Sequence, residues 1–213
     1  QCNRCSFVCP HAVIRPVAMT AEEAAAAPEG IQTMPMTGMP DYTFTMAISQ
    51  LDCTGCGSCA NVCPGNNRAE TLTMDKLEKH LDEQPAFDYA VTLPIKTEVV
   101  DKFKEATVKG SQFKQPLLEF SGACAGCGET PYAKLITQLF GEHMYISNAT
   151  GCSSIWGGPA ATSPYTVNKD SKKGPAWANS LFEDNAEHGL GMQIGQEVLR
   201  DQAIASAEKC AAS

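Results

Sequence analysis

The sequence predicts an α+β region built around two cysteine runs, followed by a region of α/β type. Seven of the 11 cysteines lie in the two runs, at residues 2–9 and 53–63. Between the runs, residues 42–49 alternate apolar with small or polar side chains, which is typical of a β-strand. From residue 117 onward, the order of strand, glycine-rich loop, helix, strand and loop is typical of α/β folds.

The composition describes a globular chain and excludes several classes of function. The chain has 213 residues, of which 43% are hydrophobic and 19% charged, and its formal net charge is −8. This length suits one or two domains. We expect no binding to nucleic acid or to an anionic membrane surface, because both are negatively charged and bind basic proteins, whereas this chain is acidic. No apolar run approaches the roughly 18 residues that a membrane-spanning helix needs.

Three segments are predicted along the chain. Residues 1–81 hold both cysteine runs, with an insertion at about 15–50 between them. Residues 82–116 are charged and contain three prolines, which indicates a connector, with a helix near residues 97–107. Residues 117–213 form the α/β region.

Local patterns predict several shorter elements in the first two segments and at the start of the third. Thr20 and Glu23 have the spacing of a capping box, which predicts the start of a short helix. Further along, the sequence predicts a short strand at residues 71–74, a polar helix at 75–83 and a buried strand at 117–120.

Two helices and a strand are predicted in the rest of the third segment. Thr130 and Pro131 have the form of a cap residue followed by a proline in the first helical turn, and Gly141 is a stop signal. The apolar positions of this helix are Leu135, Ile136, Leu139 and Phe140. A strand is predicted at residues 144–147 and a long helix at 186–212.

The second cysteine run has the spacing of a [4Fe–4S] cluster site. It reads C-x2-C-x2-C-x3-C-P through Cys53, Cys56, Cys59 and Cys63. A cubane cluster has four iron corners, and a tight loop of small residues lets three thiolates reach three of them. Backbone N–H groups of such a loop can donate to the cluster sulfurs and tune its potential. The fourth cysteine ligates the other cluster in two-cluster ferredoxins.

The first cysteine run repeats this motif without its first cysteine. It reads C-x2-C-x3-C-P through Cys2, Cys5 and Cys9. The absent cysteine is expected three positions before Cys2, so we expect the chain to be a fragment of a longer protein. A disulfide framework is disfavoured, because cysteines two residues apart pair poorly, and a reducing compartment follows as the expected setting.

The crossing of the fourth cysteine divides the ligands into two expected sets. Cluster I takes Cys2, Cys5 and Cys63, with a fourth ligand upstream, and cluster II takes Cys9, Cys53, Cys56 and Cys59. Structural zinc is the alternative, since C-x-x-C pairs also bind zinc. Zinc sites usually separate two such pairs by a longer spacer, so the repeated spacing favours an α+β two-cluster ferredoxin-like domain.

Three further cysteines lie in the third segment. Cys124 and Cys127 form a C-x-x-C pair in the loop SGACAGCGE, and Cys152 follows in GCSSIWGG. Such a pair alone fits a redox-active site, a zinc site or chance. Cys210, on the predicted long helix, is interpreted as an ordinary helical cysteine. His11, directly after the first run, is interpreted as structural, with an influence on a cluster as the alternative.

Three longer motifs of this segment resemble pyruvate:ferredoxin oxidoreductase. They are SGACAGCGETPY at residues 121–132, NATGCSSIWGG at 148–158 and GPAWANSLFEDNAEHGLGM at 174–192. With the two-cluster region before them, the resemblance covers almost the whole chain. It implies that residues 117–213 begin an α/β thiamine-diphosphate-binding domain.

The resemblance also implies ligands and cofactors. Cys124, Cys127 and Cys152 match the positions that hold a third, proximal [4Fe–4S] cluster, whose fourth ligand is expected further downstream. Glu129 and Cys152 match positions that contact thiamine diphosphate. The Mg²⁺ motif of the family, GDG followed at a distance by Asn, is not found in this sequence and is expected beyond its end. No catalytic residue is assigned within the chain.

The implied reaction is oxidative decarboxylation of pyruvate, or of another 2-oxoacid, to an acyl-coenzyme A and CO2. Thiamine diphosphate acts as electron sink, and the clusters relay electrons to ferredoxin or flavodoxin. We expect a cytoplasmic protein, in keeping with the reducing compartment, and a homodimeric parent enzyme, and we expect this chain alone to be inactive. The alternative is a plain two-cluster electron-transfer protein, which has no use for Cys124, Glu129 and Cys152.

Overall fold

The computed structural model describes residues 1–67 and 71–212. The elements up to the second cysteine run are α1 Arg4–Val8, β1 Ile14–Met19, α2 Ala21–Ala25, β2 Thr33–Pro35, β3 Thr43–Ile48 and α3 Ser58–Val62. The elements after it are α4 Gln84–Thr92, α5 Thr97–Phe103, α6 Val108–Ser111, α7 Thr130–Phe140, β4 Tyr145–Ala149, α8 Cys152–Gly157, β5 Ala176–Ser180 and α9 Asn185–Ala211. No helix in these two ranges is long and apolar enough to cross a membrane.

The predicted insertion forms an antiparallel sheet of three strands in the order β1-β3-β2. The strand predicted at residues 42–49 is confirmed as β3, which pairs with β1 from Ile14↔Ile48 to Met19↔Thr43. Pro16 lies within β1, where its missing N–H is tolerated because β1 is an edge strand of this sheet.

Helices of the predicted connector cover this sheet. Val99 and Val100 of α5 share a buried cluster with Phe44 of β3, and Phe113 packs its ring edge-on against Phe44 with 6.3 Å between centroids. Phe87 of α4 packs in a second cluster with Ala47 and Ala90. Residues 82–116 thus share their core with the first segment, while the boundaries at 81 and 116 stay a prediction.

The third segment contains a parallel strand pair with helices around it, which is a mixed α/β arrangement. Strands β4 and β5 pair from Tyr145↔Ala176 to Ala149↔Ser180. Helix α9 packs on β4 and confirms the long helix predicted at 186–212 within one residue at each end. The assignment of this segment to a thiamine-diphosphate-binding domain stays a prediction.

Three elements predicted from local patterns were wrong. Residues 71–74 form no strand, and the polar stretch after them forms only two short 3-10 turns, Leu77–Lys79 and Leu81–Glu83. Residues 117–120 contribute one bridge, Leu118↔Tyr165, because Phe120 turns the chain away with a positive φ of 51°.

Helix α7 begins one residue earlier than predicted and buries a different face. Thr130 is its first residue rather than its cap, and the preceding Glu129 makes no side-chain capping bond. The buried positions are Thr130, Lys134, Thr137 and Gln138. Ile136 and Phe140, predicted as apolar positions, are exposed. The inward face of α7 is therefore polar.

Candidate metal centre

The two cysteine runs fold into the same local structure. Asn3 and Gly57 each take the left-handed conformation, with φ of 60° and 75°, directly before helices α1 and α3. Each helix ends at an extended cysteine, with φ −68° and ψ 117° at Cys9 and φ −70° and ψ 114° at Cys63. Asn and Gly are the residues that adopt the left-handed conformation at least cost. The backbone therefore repeats where the sequence repeats.

Helices α1 and α3 pack against each other and bring together cysteines of both runs. Cys5, Cys9 and Cys59 lie in one apolar cluster with Val13 and Ile14. Burial, with smaller contributions from the neighbouring Cys2 and Cys59 thiols, raises the pKa of Cys5 to about 11. Without metal this thiol is therefore protonated at neutral pH, so binding of metal must displace its proton.

The four cysteines predicted for cluster II line one small pocket. They are Cys9, Cys53, Cys56 and Cys59. Burial raises the pKa of Cys59, and the thiols of the other three reinforce the shift, which shows that all four are electrostatic neighbours. Cys2 lies at the surface beside Cys5, and Cys63 is half-buried at the end of α3.

The donor set of this cavity, four thiols, has the ligand count of a cubane cluster. Over the two ranges that the structure describes, no three His, Cys, Asp or Glu side chains converge closely enough to hold one metal ion. A single zinc draws its thiolates to about 2.3 Å. A cluster has iron at four corners, so its thiolates stand further apart.

A buried histidine adds a second feature that fits a cluster. His11 lines the same cavity and is only 2% exposed. Its Nδ1 lies 3.1 Å from Ser121 Oγ, whereas its Nε2 is buried and has no hydrogen-bond partner among the described residues. Leaving a buried polar atom unpaired costs about 1–3 kcal/mol. A cluster sulfur is a suitable acceptor for this N–H.

The C-x-x-C loop of the third segment rests on the cluster II loop. Burial acts to raise the pKa of Cys56, but a hydrogen bond with the Ser58 hydroxyl and bonds from the backbone N–H groups of Ser58 and Gly126 outweigh it and lower the pKa. Gly126 has φ 72°, and a Cβ there would lie 3.6 Å from the Cys56 Cβ. The positive φ favours glycine at this position, while the Cβ distance would be an ordinary van der Waals contact.

Cys124 and Cys127 flank this contact, while Cys152 lies at the start of α8. The Cys127 N–H donates to the Cys124 carbonyl at 3.0 Å, which closes the turn. The two outer thiols, of Cys124 and Cys152, are exposed, and the Cys127 thiol is half-buried. These three do not form a single-ion site in the described part of the chain.

Tyr165 connects Glu129 with α8. Its ring packs against Trp156 of α8, with 6.2 Å between centroids. Burial raises the pKa of Tyr165 to about 12, and the charge of Glu129 adds to the shift, which places Glu129 near the same ring. Glu129 and helix α8, which starts at Cys152, therefore both lie close to Tyr165.

Cys152 also lies just beyond the carboxyl ends of the parallel strands. At this end Asn148 Nδ2 donates to Asn179 Oδ1 at 2.8 Å, and Ser154 Oγ donates to Ala149 O at 2.9 Å. In open α/β sheets, ligands bind in the crevice outside the carboxyl ends of the strands. Cys152 therefore occupies a position suited to a cofactor site.

Two buried cations near the first run could not be foreseen from the sequence. Arg15 of β1 pairs with Glu119 and lies near the rings of Phe87 and Phe120. Lys134 of α7 is 1% exposed and donates to backbone carbonyls of α1. The sequence shows both as ordinary basic residues, because burial against a partner more than 100 residues away leaves no local pattern.

Comparison with known proteins identifies the first region and the relatives of the whole chain. Residues 1–67 match the family model of the 4Fe-4S dicluster domain, which confirms the ferredoxin-like region. The pyruvate-flavodoxin oxidoreductase of Klebsiella pneumoniae is 56% identical over 95% of this chain and 17% of the relative. The pyruvate:ferredoxin oxidoreductase of Moorella thermoacetica is 55% identical over 98% of this chain and 18% of the relative.

A relative with another acceptor in its name contains the same segment. The pyruvate dehydrogenase [NADP(+)] of Cryptosporidium parvum is 52% identical over 95% of this chain and 10% of that protein. The predicted resemblance to pyruvate:ferredoxin oxidoreductase is therefore confirmed over nearly the whole chain. The chain spans about a sixth of the length of the two oxidoreductases it matches.

Proposed function

We propose that this chain is the electron-relay segment of a pyruvate:ferredoxin or pyruvate:flavodoxin oxidoreductase. The observation that carries the proposal is the cavity lined by Cys9, Cys53, Cys56 and Cys59, within a segment about 55% identical to such enzymes. Four thiols around one cavity match the ligand count of a [4Fe–4S] cluster. Cluster I would take Cys2, Cys5 and Cys63 together with a ligand outside this sequence.

The contacts support an order for the relay. The proximal cluster would be bound by Cys124, Cys127 and Cys152, and the loop between the first two touches Cys56 of cluster II. Cluster II in turn adjoins cluster I, because the thiols of Cys59 and Cys5 are neighbours. Electrons would therefore pass from the proximal cluster to cluster II and then to cluster I.

The carboxyl end of the strand pair would form one wall of the thiamine diphosphate site. Bound thiamine diphosphate supplies the electron sink for decarboxylation of the 2-oxoacid. In this chain Glu129 and Cys152 would contact it, with Tyr165 and Trp156 holding the two elements in place. Coenzyme A, the Mg²⁺ site and a homodimeric assembly would belong to the complete enzyme.

Iron and sulfide analysis tests the cluster count. The anaerobically purified longer protein should contain roughly twelve irons and as many sulfides per chain, four for each cluster. Substitution of Cys56 by Ser should remove about four irons. Substitution of Cys210 by Ser is the matched control and should remove none. About eight irons in the unsubstituted protein would contradict the third cluster, and zinc without broad visible absorption would contradict the whole proposal.

A further inference from the structure

Lys134 is a buried cation without a carboxylate partner. It is 1% exposed, and no Asp or Glu pairs with it in the part of the chain that the structure describes. Its ammonium donates instead to the carbonyl oxygens of Ser6 and, at 3.3 Å, Phe7. Arg15, the other deeply buried cation nearby, differs because Glu119 balances its charge.

The two acceptor carbonyls lie in α1 between Cys5 and Cys9. These cysteines belong to different proposed ligand sets, so Lys134 approaches both clusters from one side. Burial lowers the pKa of Lys134 to about 7, while the Cys9 and Cys5 thiols oppose the shift and Arg15 reinforces it. The groups that can oppose the charge of this ammonium are therefore Cys9 and Cys5, once metal binding converts them to thiolates.

An unpaired buried charge is costly, and removing its partner typically costs several kcal/mol. A [4Fe–4S] cluster with four thiolates carries net negative charge and gains one more on reduction. Positive charge close to a cluster favours the reduced form, since net charge and hydrogen bonding set the potential. The charge of Lys134 is thus compensated when the clusters are bound.

We infer that Lys134 is the shared counter-cation of the two ferredoxin-type clusters and raises the reduction potential of both. The inference rests on the proposed function, because it needs the clusters. It assigns α7 a role beyond packing, since the third segment supplies the charge that tunes the first. It gives a function to the one charged residue on the polar inward face of α7.

The test is a redox titration of the cluster-loaded protein followed by electron paramagnetic resonance. K134M and K134Q both remove the charge, and K134Q keeps hydrogen-bond donors. Both should lower the equilibrium constant for one-electron reduction of clusters I and II at least tenfold, which is about 59 mV. K134R, which keeps the charge, should stay within about threefold, or about 28 mV.

Lys169→Met is the matched control. Lys169 is a partly buried lysine whose ammonium also donates to backbone carbonyls, those of Val91 at 3.1 Å and Leu93. Burial lowers its pKa, Asp170 opposes the shift, and no cysteine contributes. Its substitution should leave the potentials of clusters I and II unchanged.

The remaining outcomes also either support or overturn the inference about Lys134. Unchanged potentials in loaded K134M or K134Q would overturn the inference. If K134M and K134Q fail to bind the clusters but K134R binds them, the charge is needed and the inference is supported. If K134R also fails to bind them, Lys134 acts through packing and the inference is overturned. Absence of cluster signals in the unsubstituted protein would instead refute the proposed function, and the inference with it.

Discussion

At the residue scale, the cluster loops depend on backbone positions that few side chains tolerate. Asn3 and Gly57 reverse the chain before α1 and α3, and Gly126 does so against Cys56. The spacing of the two cysteine runs predicted the ligand sets of clusters I and II, whereas the proximal set was implied only by the family resemblance. It gave no indication of Lys134 or of the unpaired Nε2 of His11, because both depend on burial between distant segments.

Gly126→Ala tests whether the loop that contacts Cys56 requires the left-handed backbone conformation at Gly126. The added Cβ forces an L-residue into the left-handed region, which costs about 1–2 kcal/mol. The free energy of unfolding, measured by urea under anaerobic conditions, should fall by about that amount. Gly128→Ala is the control, since a Cβ there meets open space and its φ is not positive. Equal effects of the two substitutions would contradict the strain at Gly126.

At the element scale, patterns that depend on neighbouring residues were predicted well. The capping box of α2 is present, with the Thr20 N–H donating to Glu23 Oε2 at 2.8 Å and the Glu23 N–H to Thr20 Oγ1 at 3.2 Å. Strand β3 and helix α9 also form where they were predicted, although Thr45 and Ala47 are buried beside Phe44 in β3 and the apolar positions of α9 are exposed. Helix α7 buries a different face from the one predicted, because its inward Lys134 donates to carbonyls of α1, and Thr137 and Gln138 bond to the Leu117 N–H and the Lys114 carbonyl.

Tyr165 gives a pH-dependent test of the packing between α8 and Glu129. Burial raises its folded-state pKa to about 12, above the ordinary value near 10. The unfolded chain therefore loses this proton first, so the stabilisation is complete below pH 10 and is lost as pH rises towards 12. In Tyr165→Phe the fall in the free energy of unfolding over this pH range should be smaller by about 1 kcal/mol, after allowance for the partial exposure of Tyr165.

The comparison is made by urea unfolding of both proteins at pH 9 and pH 11. Tyr132→Phe is the control, because Tyr132 is 72% exposed. The difference between the two pH values should shrink in Tyr165→Phe and stay the same in Tyr132→Phe. A difference that stays constant in both would show that Tyr165 is not held in a buried environment.

At the scale of the whole molecule, the third segment and the cluster region are joined by polar contacts. Arg15 pairs with Glu119, and His11 is joined to Ser121 through Nδ1. The ammonium of Lys134 completes the set on α1. These partners are more than 100 residues apart, so no sequence pattern announces them. The order of segments predicted from the sequence therefore did not indicate that the first cysteine run packs against the third segment.

The central claim is that the last cysteine of each run, Cys9 or Cys63, ligates the other run's cluster. The most direct measurement is the electron paramagnetic resonance spectrum of reduced, anaerobically purified Cys9→Ala and Cys2→Ala variants of the longer protein. Crossing predicts that Cys9→Ala perturbs the same cluster as Cys53→Ala, while Cys2→Ala perturbs the other. If Cys9→Ala and Cys2→Ala instead perturb one and the same cluster, the ligand sets proposed from the cavity are wrong.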